Sequence, residues 1–202
     1  MSLLIKAYPT VLGAEMEQSG MVRRIIYSGS VLRLASYSVN LCGRSFTEEV
    51  VEHPGAVAIL PLKENDDIVL VRQFRPAIGK MLLELPAGTR KKGEDEAECA
   101  ARELAEETGY SSGDLKKVFE LYLAPGYSSE RMGFFVARRL KPLRHVKRDP
   151  TEAIETLTVD LKDALEMVES GEISDAKTII GVLYLALGIR RRGRRSKTTR
   201  RP

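Results

Sequence analysis

The sequence predicts an α+β fold in which a small β-rich region precedes one larger domain. Residues 21–50 alternate loosely between apolar and polar residues and are rich in β-branched side chains, which is typical of short strands. A helical pattern at 95–108 then interrupts further strand-like segments, and two more helical patterns follow towards the C-terminus. Strands grouped around one central helix are typical of an α+β chain and differ from a regular βαβ array.

The individual elements follow in chain order. Two or three strands are expected in 21–50, and His53-Pro54-Gly55 marks a turn after them. The segments AVAILPL (56–62) and DIVLVRQF (67–74) predict adjacent strands joined by a turn at 63–66. The remaining expected elements are strands at 81–85, 116–123, 133–140 and 155–160, and helices at 95–108, 161–169 and 175–187.

Glycine and cap residues predict where two of the helices begin and end. Gly109 suits the left-handed conformation that ends the 95–108 helix. Ser174 or Asp175 can cap the start of the last helix, and Gly188 can end it.

Composition limits the kinds of protein that this chain can be. Its 202 residues are 43% hydrophobic and 30% charged, which fits one ordinary domain with a small accessory region. Two cysteines and two histidines are too few for a disulfide framework, a four-thiolate zinc site or a histidine-built metal centre. A metal site, if present, must therefore consist of carboxylates.

The positive charge is concentrated at the C-terminus. Residues 190–202 contain eight basic and no acidic residues, whereas residues 1–189 contain 24 basic against 28 acidic residues. We therefore divide the chain into an N-terminal β region (1–50), a main domain (51–189) and a basic tail (190–202) that is expected to be disordered. Nucleic acid is not an expected partner except through this tail. No secretion signal or membrane span is expected, which favours a cytoplasmic protein.

The 95–108 helix has an unusual concentration of acid. Glu103, Glu106 and Glu107 share one helix face, and Arg102 lies one turn before Glu106, at a spacing that allows an ion pair. The opposite face, which is expected to pack on the protein, consists of Ala97, Ala101, Leu104 and Thr108. Crowded carboxylates destabilise a helix unless a divalent cation binds them, and hard oxygen ligands suit Mg²⁺ or Mn²⁺.

The surrounding spacing identifies a motif. The segment 88–110 matches G-x5-E-x7-R-E-L-x-E-E-x-G at every fixed position, and only Tyr110 departs from the aliphatic residue that usually follows. It therefore resembles the signature box of Nudix hydrolases, which cleave a nucleoside diphosphate linked to another moiety. The resemblance implies an α/β/α sandwich with a mixed sheet. The box covers about a ninth of the chain and specifies phosphate chemistry rather than the attached moiety.

Residues outside the box resemble the ADP-ribose pyrophosphatases of this family. They include ELPAG (84–88), VVEHPGAVAILPL, VRQFR, and Pro125 sixteen residues beyond Gly109, and they extend the resemblance over about 25–188. This subgroup commonly exchanges an N-terminal β region across a homodimer, a role that residues 21–50 would fit. A loose N-terminal sheet in a monomer is the alternative.

The resemblance also implies roles for individual residues. Glu103 and Glu107 are expected to be the principal metal ligands, with Glu106 as a third ligand and the Ala87 carbonyl as a backbone ligand. Arg102 is expected to orient these carboxylates. Glu94 either braces the loop against the helix or only complements the helix dipole.

Other positions are expected to bind substrate or supply a base. Arg75 is positioned to hold phosphate or terminal ribose, Glu84 to contact substrate or support the loop, and Pro125 to shape the pocket rim. Glu152, in the acidic loop 149–154, and Glu130, in the PGYSSE loop, are the two candidates for the general base, with Glu152 favoured.

These observations predict Mg²⁺-dependent hydrolysis of ADP-ribose to AMP and ribose 5-phosphate, with Mn²⁺ as a possible substitute. The first alternative keeps the chemistry but replaces the substrate by another nucleoside diphosphate sugar or a dinucleotide. The second is a nucleotide-binding regulator that contacts nucleic acid through its basic tail.

Overall fold

The computed structural model describes residues 21–41, 43–145 and 154–198. Its elements are β1 (Met21–Ser28), β2 (Arg33–Leu41), β3 (Arg44–Glu52), β4 (Ala56–Pro61), β5 (Ile68–Arg75), β6 (Lys80–Glu84), β7 (Ala87–Thr89), α1 (Glu96–Thr108), β8 (Tyr110–Tyr122), β9 (Arg131–Pro142), β10 (Glu155–Val159), α2 (Leu161–Ser170) and α3 (Ala176–Thr198). Among these described residues, no helix is both long and apolar enough to span a membrane.

The chain divides into two compact units, residues 1–52 and 53–202. In the first unit, β1, β2 and β3 form an antiparallel sheet in that order, which confirms the expected strands. Arg23 pairs with Glu52 across this sheet, and the Tyr37 hydroxyl donates to the same carboxylate at 2.5 Å. Most of the sheet is exposed within this chain, including the side chains of Val22, Ile25 and Tyr27.

The second unit contains two sheets, with strand orders β7-β4-β9-β8 and β10-β5-β6. Only β4 and β9 run parallel among the described strand pairs, so the larger sheet is mixed. The segments 56–62 and 67–74 were expected to be adjacent strands. They lie instead in different sheets and share one isolated bridge, Leu62 to Ile68. The register of each sheet depends on strands that are distant in sequence, and the local pattern does not contain this information.

The alternation of side chains on β4 places helices on both sides of the larger sheet. Val57 and Ile59 pack in one buried cluster with Leu104 of α1. Leu60 packs in a second cluster, which includes Ala164 of α2 together with Val182 and Leu185 of α3. This produces the α/β/α layering of a Nudix-like fold, in which α1 packs on one face and α2 and α3 on the other.

Local sequence determines the ends of α1. Asp95 accepts a hydrogen bond from the Ala97 N–H at 2.8 Å, and Glu98 reaches back to the Asp95 N–H, which completes a capping box. Gly109 ends the helix with φ of 75°, in the predicted left-handed conformation.

Helix α3 begins where the sequence predicts but continues beyond the predicted end. Asp175 accepts from the Thr178 N–H at 3.0 Å and so caps the start. The helix continues to Thr198, so Gly188 does not end it. A glycine inside a helix costs only about 1 kcal/mol, and arginine and lysine are good helix formers. The backbone of 190–198 is helical, whereas the charge pattern predicts disorder for this segment.

Candidate active site

The box segment forms a strand, a loop and a helix around the Arg102 guanidinium. Its Nε and Nη2 donate to the two Glu94 carboxylate oxygens at 2.7 and 3.0 Å, and Nη2 also lies 3.3 Å from the Thr89 carbonyl. The bidentate pair lowers the pKa of Glu94 to about 2. Glu94 therefore joins the loop to the helix, which is the bracing role considered for it.

Arg102 also organises the acidic face of α1. Its Nη1 donates to Glu103 at 2.5 Å and to Glu106 at 3.0 Å, so the ion pair expected from the spacing of Arg102 and Glu106 is present. The Glu103 side chain is mostly buried, whereas that of Glu106 is 37% exposed. The Arg102 guanidinium thus holds the carboxylates of Glu94, Glu103 and Glu106 in a fixed arrangement.

Gly88 permits Glu103 to lie against the β7 backbone. A Cβ atom at residue 88 would be 2.6 Å from Oε2 of Glu103 and closer still to the other two carboxyl atoms. Real Cβ atoms do not approach other atoms this closely, so any larger residue would displace the carboxylate. The glycine of the motif is therefore needed for close packing between strand and helix.

Glu107 faces inward from the end of α1. It is 5% exposed, and its carboxylate accepts a hydrogen bond from the Ala87 N–H at 3.1 Å. The Thr156 hydroxyl of β10 donates to the Glu107 carbonyl at 3.3 Å. The loop before the box and the second sheet therefore both contact this residue.

The packing face predicted for α1 was partly wrong. Leu104 and Thr108 are buried as expected, but Ala97 and Ala101 are exposed, and the other buried positions are Cys99, Ala100 and Glu107. Hydrophobic periodicity favoured the alanines, but they carry little apolar surface, and contacts with Gly88 and Ala87 turn the carboxylates inward instead. Burial raises the pKa of the Cys99 thiol to about 12, which favours the protonated thiol at neutral pH.

The donor set at this face fits a hard divalent cation. The carboxylates of Glu103, Glu106 and Glu107 lie on consecutive turns of α1, Glu103 against Gly88 and Glu107 against the Ala87 N–H. Among the described residues, no three acidic, histidine or cysteine side chains are already arranged as a metal cage. Arg102 instead holds Glu103 and Glu106.

A second ion-pair network is centred on Glu84, which precedes Ala87 by three positions in the chain. Glu84 is 1% exposed and accepts two hydrogen bonds from Arg75, from Nε at 2.6 Å and Nη2 at 2.7 Å. Lys177, at the start of α3, pairs with the same carboxylate and with Asp175 at 3.0 Å. Arg75 and Glu84 were both singled out from the sequence, whereas Lys177 was missed. Its position two residues after a predicted helix cap was the only available signal.

Electrostatics keep this network ionised. Burial by itself would raise the pKa of Glu84, but hydrogen bonds from Arg75 and the charge of Lys177 outweigh it and hold the pKa below its ordinary value. The hydrogen bonds to Glu84 raise the pKa of Arg75, and the charges of Glu107 and Asp175 contribute. The negative charge of Glu107, one of the box carboxylates, therefore acts on Arg75. Arg75 itself pairs with Glu84, the first residue of the ELPAG segment.

The loop between β8 and β9 contains Pro125 and Glu130. Pro125 is exposed in a turn in which the Tyr127 and Ser128 N–H groups both donate to the Ala124 carbonyl. Glu130, at the end of this loop, is half-buried. Glu152, the other candidate base, lies outside the described residues.

A separate cavity of about 530 Å³ lies on the α3 side of the larger sheet. Leu60, Val136 and Tyr184 are among its lining residues, and none of the lining residues belongs to the box. The acidic helix face is therefore not part of this cavity.

The fold and the acidic helix face define a Nudix hydrolase. The NUDIX domain model matches residues 52–180, and the chain belongs to this family. It is 39% identical to an ADP-ribose pyrophosphatase from Bacillus subtilis over 174 residues, covering 85% of this chain and 94% of that protein.

Two other relatives and one solved structure are also similar. A methanol dehydrogenase activator from Bacillus methanolicus is 34% identical over 87% of this chain and 96% of its own. A GDP-mannose pyrophosphatase from Klebsiella pneumoniae is 40% identical over 65% of this chain and 70% of its own. The crystal structure of an ADP compounds hydrolase superposes with a TM-score of 0.73 at 23% identity, covering 86% of this chain and 94% of its own, which shows a common fold.

Proposed function

We propose that this Nudix hydrolase cleaves the diphosphate of ADP-ribose in a Mg²⁺-dependent reaction with water that produces AMP and ribose 5-phosphate. The observation that supports the chemistry best is that Arg102 holds Glu103 and Glu106 on the helix that also places Glu107 against the Ala87 N–H. The similarity to an ADP-ribose pyrophosphatase over most of both chains favours ADP-ribose as the substrate.

The metal ligands in this proposal are the carboxylates of Glu103, Glu106 and Glu107 and the Ala87 carbonyl. A divalent cation held there would neutralise diphosphate charge and lower the pKa of a bound water. Arg102 keeps Glu103 and Glu106 on one side of the helix, so little side-chain entropy remains to be lost on binding. The buried Glu107 is oriented by the Ala87 N–H.

Arg75 is proposed to bind phosphate or the terminal ribose. A guanidinium has five N–H groups, so Arg75 can contact a phosphate while two of them remain on Glu84. Lys177 and Glu84 then act mainly to orient Arg75. This favours the supporting role of Glu84 over direct contact with substrate, because its carboxylate is already fully buried.

The general base is proposed to be Glu152, with Glu130 as the alternative. A carboxylate base must be deprotonated to act. We therefore expect kcat to fall at low pH as the base is protonated, which gives the pH profile an acid limb. Glu152→Gln and Glu130→Gln can be compared directly. The variant that abolishes this limb identifies the base.

The substrate assignment is tested with a panel of ADP-ribose, GDP-mannose, NADH and diadenosine polyphosphates in the presence of Mg²⁺, with products identified by mass. We expect ADP-ribose to have the highest kcat/KM and to yield only AMP and ribose 5-phosphate. Reaction in ¹⁸O-labelled water then shows which phosphorus is attacked. Cleavage of GDP-mannose without cleavage of ADP-ribose would instead support the second candidate, a GDP-sugar hydrolase, which the Klebsiella relative favours.

We also propose that the chain is a cytoplasmic homodimer. The first unit exposes many large apolar side chains within one chain, including Met21, Ile26 and Phe46, as expected of a surface that a second copy would cover. Light scattering coupled to gel filtration tests the dimer. A role of the tail in contacting nucleic acid is the alternative for residues 190–202, and deletion of the tail with a measurement of RNA retention tests it.

A further inference from the structure

The turn His53-Pro54-Gly55 lies between the 124–130 loop and the loop of the box that follows β7. The His53 N–H donates to the Ser129 hydroxyl at 3.0 Å, which ties the turn to the 124–130 loop. The Gly55 carbonyl accepts from the Arg90 N–H at 3.1 Å, which ties the same turn to the loop after β7. The turn therefore contacts both loops within three residues.

The backbone of this turn requires glycine. Gly55 is buried and has φ of 100°, a conformation that other residues rarely adopt. A Cβ atom at this position would lie 3.4 Å from the carbonyl of Arg131, the residue after Glu130. The turn thus lies next to the start of β9, directly after the 124–130 loop.

The His53 ring makes the third connection. Its Nδ1 accepts from the Gly55 N–H at 3.2 Å, so a neutral ring has its proton on Nε2. Nε2 lies 3.4 Å from the Thr89 hydroxyl, to which it can then donate. The carbonyl of Thr89 accepts from Arg102. Contacts through His53 and through Thr89 of β7 thus link Ser129 to Arg102, which holds the acidic cluster.

We infer that His53, Ser129 and Thr89 are positioning residues, which place the loop carrying Glu130 relative to Arg102 and its carboxylates. The inference rests on the proposed function in the form that has the alternative base, because it assigns Glu130 a part in turnover. In the sequence, His53 has no feature beyond those of a turn residue. Its role follows from three elements that are brought together only by folding.

The first test removes the Ser129 hydroxyl. Ser129→Ala should lower kcat/KM for ADP-ribose by about tenfold, since small displacements of reacting groups are costly. Ser129→Thr, which keeps a hydroxyl, should restore most of the activity. The matched control is Ser170→Ala, which removes an exposed hydroxyl at the end of α2 and should leave activity at the parent level.

A double-mutant cycle separates positioning of Glu130 from general loosening of the fold. If Ser129 acts through Glu130, Ser129→Ala should cost about tenfold in the parent and less than twofold in a Glu130→Gln background. Equal costs in both backgrounds, or a Glu130→Gln variant as active as the parent, would overturn the inference.

The Thr89 connection is tested in the same way. Thr89→Val removes the hydroxyl with little change in shape, whereas Thr89→Ser keeps it. We expect kcat/KM to fall severalfold in Thr89→Val and to stay near the parent value in Thr89→Ser. Identical kinetics in both variants would contradict a role for the His53–Thr89 contact.

Amide hydrogen exchange distinguishes failure of this inference from failure of the proposed function. In Ser129→Ala, exchange at 125–130 should be severalfold faster, and exchange in α2 should be unchanged. If the parent hydrolyses no nucleoside diphosphate but exchange rises as expected, only the proposed function fails. Unchanged exchange at 125–130 in Ser129→Ala would overturn the inference whatever the parent hydrolyses.

Discussion

The Glu103 carboxylate lies so close to the α-carbon of Gly88 that a Cβ at position 88 would be less than 3.0 Å from all three carboxyl atoms. The first residue of the motif thus determines where one of its acidic residues can sit, although fifteen residues separate them. The motif is a packing arrangement between strand and helix as well as a set of carboxylates.

Gly88→Ala should displace Glu103 and reduce kcat for ADP-ribose by about 10- to 100-fold, because a misplaced ligand weakens the metal site. Mn²⁺ binding, measured by electron paramagnetic resonance, should weaken in parallel. Gly188→Ala is the control, because a Cβ there contacts nothing within 4 Å. It should keep full activity and raise stability by about 0.5–1 kcal/mol, since alanine replaces glycine inside α3. Parent-like metal binding in Gly88→Ala would contradict the proposed role of Glu103.

Glu103→Gln and Glu107→Gln should each lower kcat by about two to three orders of magnitude while the fold survives, because a neutral amide is a poor ligand for Mg²⁺. Glutamine at 107 can still accept from the Ala87 N–H, so little stability should be lost. Steady-state kinetics and circular dichroism measure the two effects. Glu169→Gln, at an exposed position on α2, is the control. Parent rates in both site variants would show that the metal-ligand assignment is wrong.

Lys177→Met should destabilise the fold by about 3–5 kcal/mol, because Glu84 would lose one of its two cationic partners in a buried site. Urea denaturation at pH 7 measures this loss. Lys162→Met is the matched control: Lys162 pairs with Glu166 on the surface of α2, with both side chains mostly exposed. Such pairs contribute little, so the control should change stability by less than about 0.5 kcal/mol. Equal effects of the two substitutions would contradict a structural role for the buried pair.

Glu94 should contribute to stability in a pH-dependent way. Its pair with Arg102 lowers the pKa from an ordinary 4.5 to about 2. A lowered pKa stabilises the fold above pH 4.5, and this contribution is lost as the pH falls towards 2. Glu94→Gln should therefore be less stable than the parent at pH 7, by about 1.5–3 kcal/mol, with a difference that shrinks below pH 4.5. A difference that stays constant from pH 7 to pH 3 in urea denaturation would show that the pair is not its source.

Local sequence was sufficient to predict the box and the limits of its helix, although it predicted neither β7 nor the start of β8 at Tyr110. The limits of α1 depend on Asp95 and Gly109, which act on neighbouring backbone groups, and the pair between Arg102 and Glu106 depends only on helical spacing. Such interactions span a few residues. They form in the same way wherever the segment is placed.

Contacts between distant segments could not be predicted in this way. Periodicity alone predicted Ala97 and Ala101 at the packing face of α1, but the face that packs is determined by β7 and by the sheet below it. The pairing of Lys177 with Glu84 could not be read from local sequence, because the two residues are 93 positions apart in the chain. Glycine at 188 suggested a helix end that α3 does not have.

What the sequence alone determined is therefore the chemistry: a Nudix box, its acidic helix face and the arginine that organises it. Only the tertiary structure decided which carboxylates are buried, that Glu84 pairs with both Arg75 and Lys177, and that His53 lies between two loops. The reason is physical: helical spacing and caps follow from covalent geometry over a few residues. Burial and long-range ion pairs depend on which strands and helices pack together.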